Sequence, residues 1–511
     1  MTTALYVLAG VAVFLLLVTI YDVFQTKHAI LRNFPIIGHF RYILESIGPE
    51  LRQYIVTDND EERPFTRDQR RWVYSSAKKQ NNYFGFGTDN DLEQTPNYLI
   101  VRHSAFPLPE PHAGDPGYDP QYSLPCAKVI GGARERKHAF RPKSIVGVSA
   151  MSFGSLSARA VEAINKGCAL ADCLHNTGEG GISPYHLQGG GLIWQLGTGY
   201  FGARNDDGSF SLEKLVESCA AHPVRAVEIK LSQGAKPGLG GVLPAAKVTP
   251  EIARIRGIPV GKDCLSPSAH REFRDVDGLL DFAETIAEAT GLPVGIKSAV
   301  GDMGFWQDLA AAHAKDSGRG LDYIQVDGGE GGTGAAPLAF CDHVALPFKL
   351  AFSNVYRIFA EQGVTDRIVF AGSGKLGFPE TGLLAMAMGC DMLMLAREPM
   401  LAIGCIQAQN CHTGHCPAGV ATQNKWLMRG LDPTNKAARL ANYMVTLRKE
   451  LTRLSRAAGV PHPALLTTEH MSVLDGYSVR SAREVFGYEE GWGRPSAAQL
   501  GALEELIGAP A

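Results

Sequence analysis

Short apolar runs alternate with amphipathic segments from Ser144 onward. This alternation is typical of parallel strands joined by helices. Two of the intervening segments, 157–171 and 277–290, have the apolar spacing of helices that cover a sheet. Eight runs predict a closed (β/α)8 barrel (TIM barrel) of the α/β class rather than an open doubly wound sheet. The predicted strands are residues 145–151, 173–178, 193–199, 226–232, 293–299, 322–328, 367–374 and 392–397.

A longer apolar run opens the sequence, where residues 4–21 carry no charged side chain. A helix of this length extends over about 27 Å, close to the ~30 Å hydrocarbon core of a bilayer. The alternatives are a buried helix of a soluble protein and a cleaved signal peptide, which needs a basic start and a small-residue cleavage site. We therefore expect a transmembrane helix. Because Lys27, Arg32 and Arg41 follow the run, we expect a single-pass cell-membrane protein with its catalytic domain in the cytoplasm.

The remaining sequence predicts three further regions. Residues 22–143 contain charged and Pro/Gly-rich stretches and predict an irregular N-terminal collar that connects the helix to the barrel. The barrel itself is expected at 144–425. Residues 426–511 have a helical pattern and predict an extension that packs outside the barrel.

Composition narrows the class of protein. The chain has 511 residues, 20% of them charged, and a net charge of -3, which gives no reason to expect nucleic acid as a partner. Ten cysteines in so long a chain do not suggest a disulfide scaffold.

Glycine is concentrated where predicted strands end, which is the functional face of a barrel. Residues 326–337 contain GxGxxG, but the loop follows the sixth strand, whereas a Rossmann site needs these glycines in the first βα unit. The alternatives are a tight turn and close approach of backbone amides to a phosphate or a flat ring. The candidate cofactor residues here are Gly329, Gly331, Gly332 and Gly334.

The ends of the seventh and eighth strands carry a second candidate site. Gly372 and Gly374 can offer backbone amides to a phosphate, and Arg397 can add a positive charge or form a surface ion pair instead. Lys297 ends another strand, where it could stabilise negative charge on a reduced flavin or form a structural ion pair.

Basic side chains are concentrated after the fourth strand. Lys230 falls at the strand end amid apolar residues, where an ammonium is costly unless it meets an anion. Gln233 and Lys236 follow in a Gly/Pro-rich loop, and Arg256 comes twenty residues after Lys236. Each alone fits a solvated surface residue, whereas the group favours a dicarboxylate substrate.

Three cysteines lie close together near the end of the predicted barrel. Cys405, Cys411 and Cys416 have the spacing C-x5-C-x4-C. Clustered thiols in a cytoplasmic domain indicate a metal centre, and three ligands suit a three-iron cluster. The alternatives are zinc, with His412 or His415 as fourth ligand, and plain buried cysteines.

Six segments together resemble the synthase domain of the glutamate synthase family, over roughly residues 140 to 425, and the chain is most similar to its short, membrane-anchored members. The segments are MSFGSLS (151–157), HNTGEGG (175–181), EIKLSQGAKPGLGGVLPAAKV (228–248), SPSAH (266–270), GGEGGTGAAP (328–337) and GCIQAQNCHTGHCPAGVATQ (404–423).

The resemblance implies a barrel that holds FMN and a [3Fe-4S] cluster. By position, Cys405, Cys411 and Cys416 match cluster ligands, and Lys297 and the Gly-rich loop match flavin surroundings. Residues that match 2-oxoglutarate ligands are Gln233, Lys236 and Arg256. In this family ammonia and 2-oxoglutarate form 2-iminoglutarate, to which reduced FMN passes a hydride, and the cluster supplies electrons to the flavin.

The matched segments supply further candidates: Ser152 for cofactor binding, Lys230 for substrate binding, and Glu179 with Lys236 for catalysis. The sequence also departs from the large enzymes. It begins Met-Thr without their N-terminal cysteine, and Val242 stands where they usually carry glutamine. We therefore expect free ammonia or an amine, or a separate subunit, to supply nitrogen.

Three functions remain open from the sequence. The first is reductive amination of 2-oxoglutarate, and the second is a membrane-linked amino-acid dehydrogenase that runs the flavin in the opposite direction. The third is an electron-transfer subunit that serves a partner. The basic residues favour an enzyme with its own anionic substrate, and the electron donor, a small molecule or a subunit, is not indicated.

Overall fold

The computed structural model describes residues 2–56, 61–115 and 118–507. Small parts of the expected collar and C-terminal extension, at 57–60, 116–117 and 508–511, lie outside the described residues. The chain divides into two compact units, residues 1–70 and 71–511. The barrel, the later collar and the extension therefore belong to one unit, and no unit boundary falls at 143 or 425.

The second unit is built on a closed barrel of eight parallel strands. The described strands are β1 (Tyr98–Val101), β2 (Val146–Val148), β3 (His175–Asn176), β4 (Leu192–Leu196), β5 (Val224–Lys230), β6 (Val242–Leu243), β7 (Cys264–Leu265), β8 (Val294–Ser298), β9 (Tyr323–Asp327), β10 (Val369–Ser373), β11 (Met392–Leu395), β12 (Met471–Asp475) and β13 (Ser478–Ser481). The order of the strands around the barrel is β10-β11-β2-β3-β4-β5-β8-β9, and all eight predicted strands are confirmed as its members.

Helices connect most of the barrel strands and cover the barrel. The two predicted from spacing are present as α5 and α8, and Ser157 caps α5 by accepting a hydrogen bond from the Ala160 amide at 3.2 Å. The described helices are α1 (Thr2–Phe24), α2 (Ala29–Asn33), α3 (Gly38–Leu51), α4 (Arg67–Ala77), α5 (Ala158–Leu170), α6 (Leu212–Ala221), α7 (Pro250–Arg256), α8 (Val276–Thr290), α9 (Met303–Lys315), α10 (Leu338–His343), α11 (Phe348–Glu361), α12 (Pro379–Ala387), α13 (Arg397–Ala402), α14 (Lys425–Met428), α15 (Pro433–Ala457), α16 (Ala482–Phe486) and α17 (Ala497–Ile507).

The C-terminal extension packs on the outside of the barrel through α15. Gly167 of α5 lies against it, and a Cβ atom there would stand 2.8 Å from Leu440 Cβ. The extension is not purely helical, because β12 pairs antiparallel with β13 and with β1 of the collar. The collar likewise contains helices, α2 to α4 and a π-helix at Arg52–Val56, where an irregular segment was expected.

The first unit contains one helix, α1, that is long and apolar enough to cross a membrane, a property that a signal sequence shares. Its Asp22 is fully buried at a junction with the next two helices. The Asp22 carboxylate accepts a hydrogen bond from the Ile36 amide at 2.9 Å and lies 3.0 Å from His39 Nε2. Gly38 packs against Leu31, where a Cβ atom would stand 3.1 Å from Cδ2.

Candidate active site

A cleft opens at the carboxyl ends of the barrel strands, the end at which barrel enzymes bind their ligands. The cleft contains about 610 Å³ of space free of protein atoms, part of it open solvent. The polar residues of its wall come from the ends of six strands, or from the loop or helix start after each of them. These residues are Ser149, Gln233, Lys297, Asp327, Ser373, Lys375, Arg397 and Glu398.

Five of the side chains at the cleft floor are joined by hydrogen bonds. Gln325 Nε2 donates to Ser149 Oγ at 3.2 Å and to Ser373 Oγ at 3.1 Å. Lys297 Nζ donates to Ser149 Oγ at 3.3 Å and lies 3.5 Å from Asp327 Oδ1, to which Ser373 also donates. Lys297 therefore forms an ion pair and also faces the cleft.

The candidate glycines divide into two groups. Gly331, Gly332 and Gly374 line the cleft. Gly329, Gly334 and Gly372 pack instead against protein: a Cβ atom would stand 2.7 Å from Ala345 O, 3.0 Å from Cys411 O and 2.7 Å from Phe348 Cζ, respectively. In these three, the absence of a side chain serves loop packing rather than approach to a ligand.

The sequence prediction omitted several residues of the cleft wall. Ser149 follows β2, Asp327 and Ser373 end neighbouring strands, and Lys375 lies two residues beyond β10 in a left-handed conformation with φ of 57°. Lys375 and Arg397 bring two cations to the same wall, an arrangement that suits a phosphate group. Position at a strand end was the available signal for all four, and the lysine inside AGSGKLG was the clearest of them.

A second group of predicted residues gathers beside the cleft, and we name Lys230, Lys236, Arg256, Glu179 and Gln233 the basic cluster. Lys230 Nζ, at the end of β5, lies 2.6 Å from Glu179 Oε1 and donates to Gln233 Oε1 at 2.7 Å. Lys236 Nζ donates to the Gly240 carbonyl at 2.8 Å. The three cations are buried, so their charges are only weakly screened by water.

Arg256 comes to the cluster from α7. Its guanidinium donates to the Phe153 carbonyl at 3.2 Å and lies 5.2 Å from the centre of the Phe201 ring. Its Nε atom is buried and has no hydrogen-bond partner among the described residues. Ser152, expected near a cofactor, lies on this side instead: a Cβ at Gly180 would stand 2.8 Å from Arg256 Nη2 and 3.1 Å from Ser152 Cβ.

Charge and burial set the ionisation of the cluster. Burial alone would raise the pKa of the Glu179 carboxyl, but Lys230, with Lys236 and Arg256 beyond it, lowers that pKa overall. Burial, reinforced by repulsion from Lys230, lowers the pKa of Lys236. Glu179 is therefore ionised at neutral pH, and Lys236 releases its proton more easily than a surface lysine.

The basic cluster and the cleft meet at Gln233, which lines the cleft and accepts from Lys230. The next residue, Gly234, crosses the start of the Gly-rich loop so closely that a Cβ atom would overlap the Gly328 carbonyl, at 1.8 Å. The Gly234 amide also donates to Asp327 Oδ2 at 2.8 Å. The two sites thus share one piece of backbone.

The three clustered cysteines share one loop after α13, but they are not gathered around a point. Among the described residues, no group of three Cys, His, Asp or Glu side chains is placed to hold a metal ion. Lys247 Nζ donates to the Cys411 carbonyl at 2.8 Å, and Gly334 of the Gly-rich loop packs against the same residue. The loop therefore packs against the Gly-rich loop, while its thiols do not form a closed ligand set among the described residues.

Comparison with known proteins gives matches over most of the chain. The family described as the conserved region in glutamate synthase matches residues 125–461. The glutamate synthase large subunit-like protein YerD of Bacillus subtilis (strain 168) is 39% identical over 481 residues, covering 88% of this chain and 91% of the relative.

Two further matches are more distant. The archaeal-type glutamate synthase (NADPH) of Thermotoga sp. (strain RQ2) is 34% identical over 316 residues, covering 61% of this chain and 59% of the relative. Among solved structures, a flavocytochrome b2 variant with sulfite bound aligns over 89% of both chains with a TM-score of 0.43 and 13% identity.

Proposed function

This chain belongs to the glutamate synthase family, and on that premise we propose that it is an FMN-dependent oxidoreductase that carries out reductive amination of 2-oxoglutarate. The nitrogen donor is ammonia or an amine, and the product is glutamate or an N-substituted glutamate. The basic cluster carries this proposal, because it supplies what a dicarboxylate needs beside a cleft that suits a flavin.

Charge balance supports the choice of substrate. Lys230, Lys236 and Arg256 place three buried positive charges around one carboxylate, that of Glu179. Two positive charges then remain uncompensated within the cluster, and buried charge is costly without a partner. The two carboxylates of 2-oxoglutarate would compensate both, and the unpartnered Nε of Arg256 offers a further donor.

The residues of the cleft fit FMN. Lys375 and Arg397, with the backbone of Gly374, suit its phosphate, and Gly331 and Gly332 allow a flat ring to approach the loop. When bound there, FMN would supply hydride-transfer chemistry. Lys297 lies where it would favour negative charge on the ring. Gln233 lines the cleft and accepts a hydrogen bond from Lys230, so it would lie between the substrate and the cofactor.

Two residues of the cluster have proposed chemical roles. Glu179 is held ionised, so it cannot serve as a proton donor, and we assign it to the orientation of Lys230 and the attraction of an ammonium ion. Lys236 has a lowered pKa, so we assign it as the acid that protonates the hydroxyl group leaving as water when the carbinolamine becomes the imine.

Anaerobic half-reactions of the purified chain test this function against its alternatives. Reductive amination requires that 2-oxoglutarate with ammonium or methylamine reoxidises the chemically reduced flavin and yields glutamate or its N-methyl derivative. Rapid flavin reduction by glutamate, without the reverse reaction, would favour the amino-acid dehydrogenase. A flavin that responds to neither would favour an electron-transfer subunit, and absence of bound flavin would contradict the proposal entirely.

We also propose that Cys405, Cys411 and Cys416 ligate a [3Fe-4S] cluster. Their common loop, bordering the Gly-rich loop at Gly334, supports this assignment. The thiols are not convergent among the described residues, so binding requires the loop to close around the cluster. We derive no chemical step from it, and the iron content of the protein is the test.

Finally, we propose that α1 spans the cell membrane and that the catalytic unit lies in the cytoplasm. The length and composition of α1 support this, as do the basic residues after it. A position at the membrane would suit an electron-donor or nitrogen-donor subunit that is held nearby. Resistance of the protein to alkaline extraction is the first test of the membrane span.

A further inference from the structure

We propose that α3 lies flat in the lipid–water interface beside α1, with one face immersed among the lipids. This inference rests on the proposed membrane span of α1. The occupant of the α3 face is the bilayer surface itself, recognised through apolar burial.

The face is defined by five side chains, and we name it the interfacial face. Their spacing places them within about 100° of arc on a helix of 3.6 residues per turn. All five are exposed, although each is large and apolar, and Phe40 has 67% of its surface accessible. The five are Phe40, Ile43, Leu44, Ile47 and Leu51.

The other side of α3 is fixed to α1 and α2. His39 lies 3.0 Å from the buried Asp22 carboxylate near the end of α1, and Tyr42 packs edge-on against His28 with ring centres 5.0 Å apart. Gly38 allows the start of α3 to contact Leu31. These contacts occupy the side of α3 that carries His39 and Tyr42, so the interfacial face is held away from the junction in a set orientation.

Continuity with α1 identifies lipid as the occupant. The apolar side chains of α1 are exposed along its length, and Phe34 and Ile37 continue this exposed surface from the junction onto α3. A helix whose apolar face adjoins a membrane span gains by burying that face at the headgroup boundary. A protein partner would have to cover α3 while leaving the adjoining span to the lipid.

The charges of α3 indicate which lipids it prefers. α3 carries one arginine, Arg41, and two glutamates, Glu45 and Glu50, so it has no excess of positive charge. Anionic lipids attract basic residues, and this helix offers them almost nothing. Binding to the interface is therefore driven by apolar area and depends little on salt or on anionic lipid.

Depth-dependent quenching in vesicles of zwitterionic lipid tests the proposal on the full chain. Three variants, Ile47→Trp, Ser46→Trp and Leu16→Trp, each add one tryptophan to the parent's five, whose fluorescence is subtracted. Lipids brominated near the headgroup should quench the added tryptophan at 47 about twofold more than the one at 46, which lies outside the interfacial face. The tryptophan at 16 should respond most to lipids brominated near the bilayer centre.

The outcomes separate this inference from the span on which it rests. Quenching at 16 with equal quenching at 46 and 47 would overturn the interfacial position of α3 and leave the span intact. No quenching at 16 would contradict the span. A blue-shifted tryptophan at 47 that bromine does not quench would assign the face to a second copy of the chain, which also overturns the proposal.

Discussion

Lys236 and Arg256 hold their charges where little water reaches them, being 3% and 5% exposed. A charge in that position interacts strongly with any anion that enters and is costly when none does. Lys230, helped by this pair, keeps the pKa of Glu179 low despite the burial of its carboxyl. Individual residues of the basic cluster therefore act as a set, and each should be tested against a residue that shares its chemistry but not its burial.

Loss of Arg256 should weaken substrate binding selectively. We expect Arg256→Ala and Lys236→Ala each to lower the affinity for 2-oxoglutarate about 10- to 150-fold, since a charge-assisted hydrogen bond contributes roughly 1.5–3 kcal/mol. FMN affinity should change little. Arg254→Ala, on the exposed side of α7, is the matched control. Isothermal titration of the oxidised protein measures both ligands, and unchanged 2-oxoglutarate affinity would remove the residue from the site.

Binding should also depend on pH through Lys236. The protonated ammonium attracts the carboxylate, so affinity is full below the pKa of Lys236 and falls as pH rises through it. Because burial and Lys230 lower that pKa, the fall should begin at a lower pH than about 10.4, the usual pKa of lysine. Lys236→Arg keeps its charge and should shift the fall to higher pH. Identical profiles for the two proteins would assign the pH dependence to another group.

The cysteine loop offers a prediction about metal content. Cys411→Ser should remove most of the iron from anaerobically purified protein, with little zinc in either protein, whereas Cys341→Ser should leave iron unchanged because it lies outside the loop. Elemental analysis with acid-labile sulfide measures this. Stoichiometric zinc without iron would favour the structural zinc site.

Residue types at strand ends indicated the residues that gather in the basic cluster, but they did not show which glycines line the cleft. Lys230 ends β5, Arg256 ends α7, and Gln233 and Lys236 lie in the chain between them. Charged and amide side chains amid apolar and Gly/Pro-rich sequence are visible without a structure. Whether Gly372 faces a ligand or the Phe348 ring depends on the first residue of α11, which lies 24 residues earlier in the chain and which no local pattern reveals. Ser152 was assigned to the cofactor only because its sequence segment matches the family. Its position near Arg256, outside the cleft lining, depends on the tertiary structure.

At the scale of elements, the barrel was predictable because each strand is a short apolar run that ends in glycine or a polar residue. The collar and extension were less so. β1 and β12 pair across some 370 residues of chain, Val101 with Met471, and among the described strands β12 is the only sheet neighbour of β1. By contrast, the apolar spacing that predicts α5 and α8 lies within each helix, and the residue that caps each one directly precedes it.

The contact of α5 with α15 gives a stability prediction. Gly167→Ala should destabilise the protein by about 1–3 kcal/mol, since its Cβ would press on Leu440 and the Ala437 carbonyl. Gly501→Ala in α17 is the control, because the space around it is open, and it should stabilise the protein by up to about 1 kcal/mol. Urea unfolding followed by tryptophan fluorescence measures both. Equal effects would show that the helices do not pack as described.

For the whole molecule, the proposed membrane span and the candidate active site belong to different compact units of the sequence. Every residue of the cleft and the basic cluster falls between Ser149 and Glu398, in the second unit. The change between irregular and alternating sequence suggested domain boundaries at 143 and 425. That pattern shows where the barrel strands are concentrated, whereas the compact units are defined by contacts between residues. The pairing of β1 with β12 joins the later collar and the extension in one unit.

Membrane attachment should depend on α1 and flavin binding should not. We expect the full chain to resist alkaline carbonate extraction, and a variant that lacks residues 2–24 to be released by it with its flavin bound, because no cleft residue is removed. Immunoblots of the fractions and flavin fluorescence of the released protein measure both. Release of the full chain under the same conditions would contradict the span.

The crossing of Gly234 over the Gly328 carbonyl has a thermodynamic consequence. One segment carries Gln233 into the basic cluster, and the other carries the Gly-rich loop into the cleft. The two backbones are so close that a Cβ atom added at Gly234 would stand 1.8 Å from the Gly328 oxygen, so a movement of one segment toward the other displaces both. A ligand that orders one segment lowers the entropy cost of ordering its neighbour. Occupancy of the two sites is then linked, and by reciprocity each ligand changes the affinity of the other by the same factor.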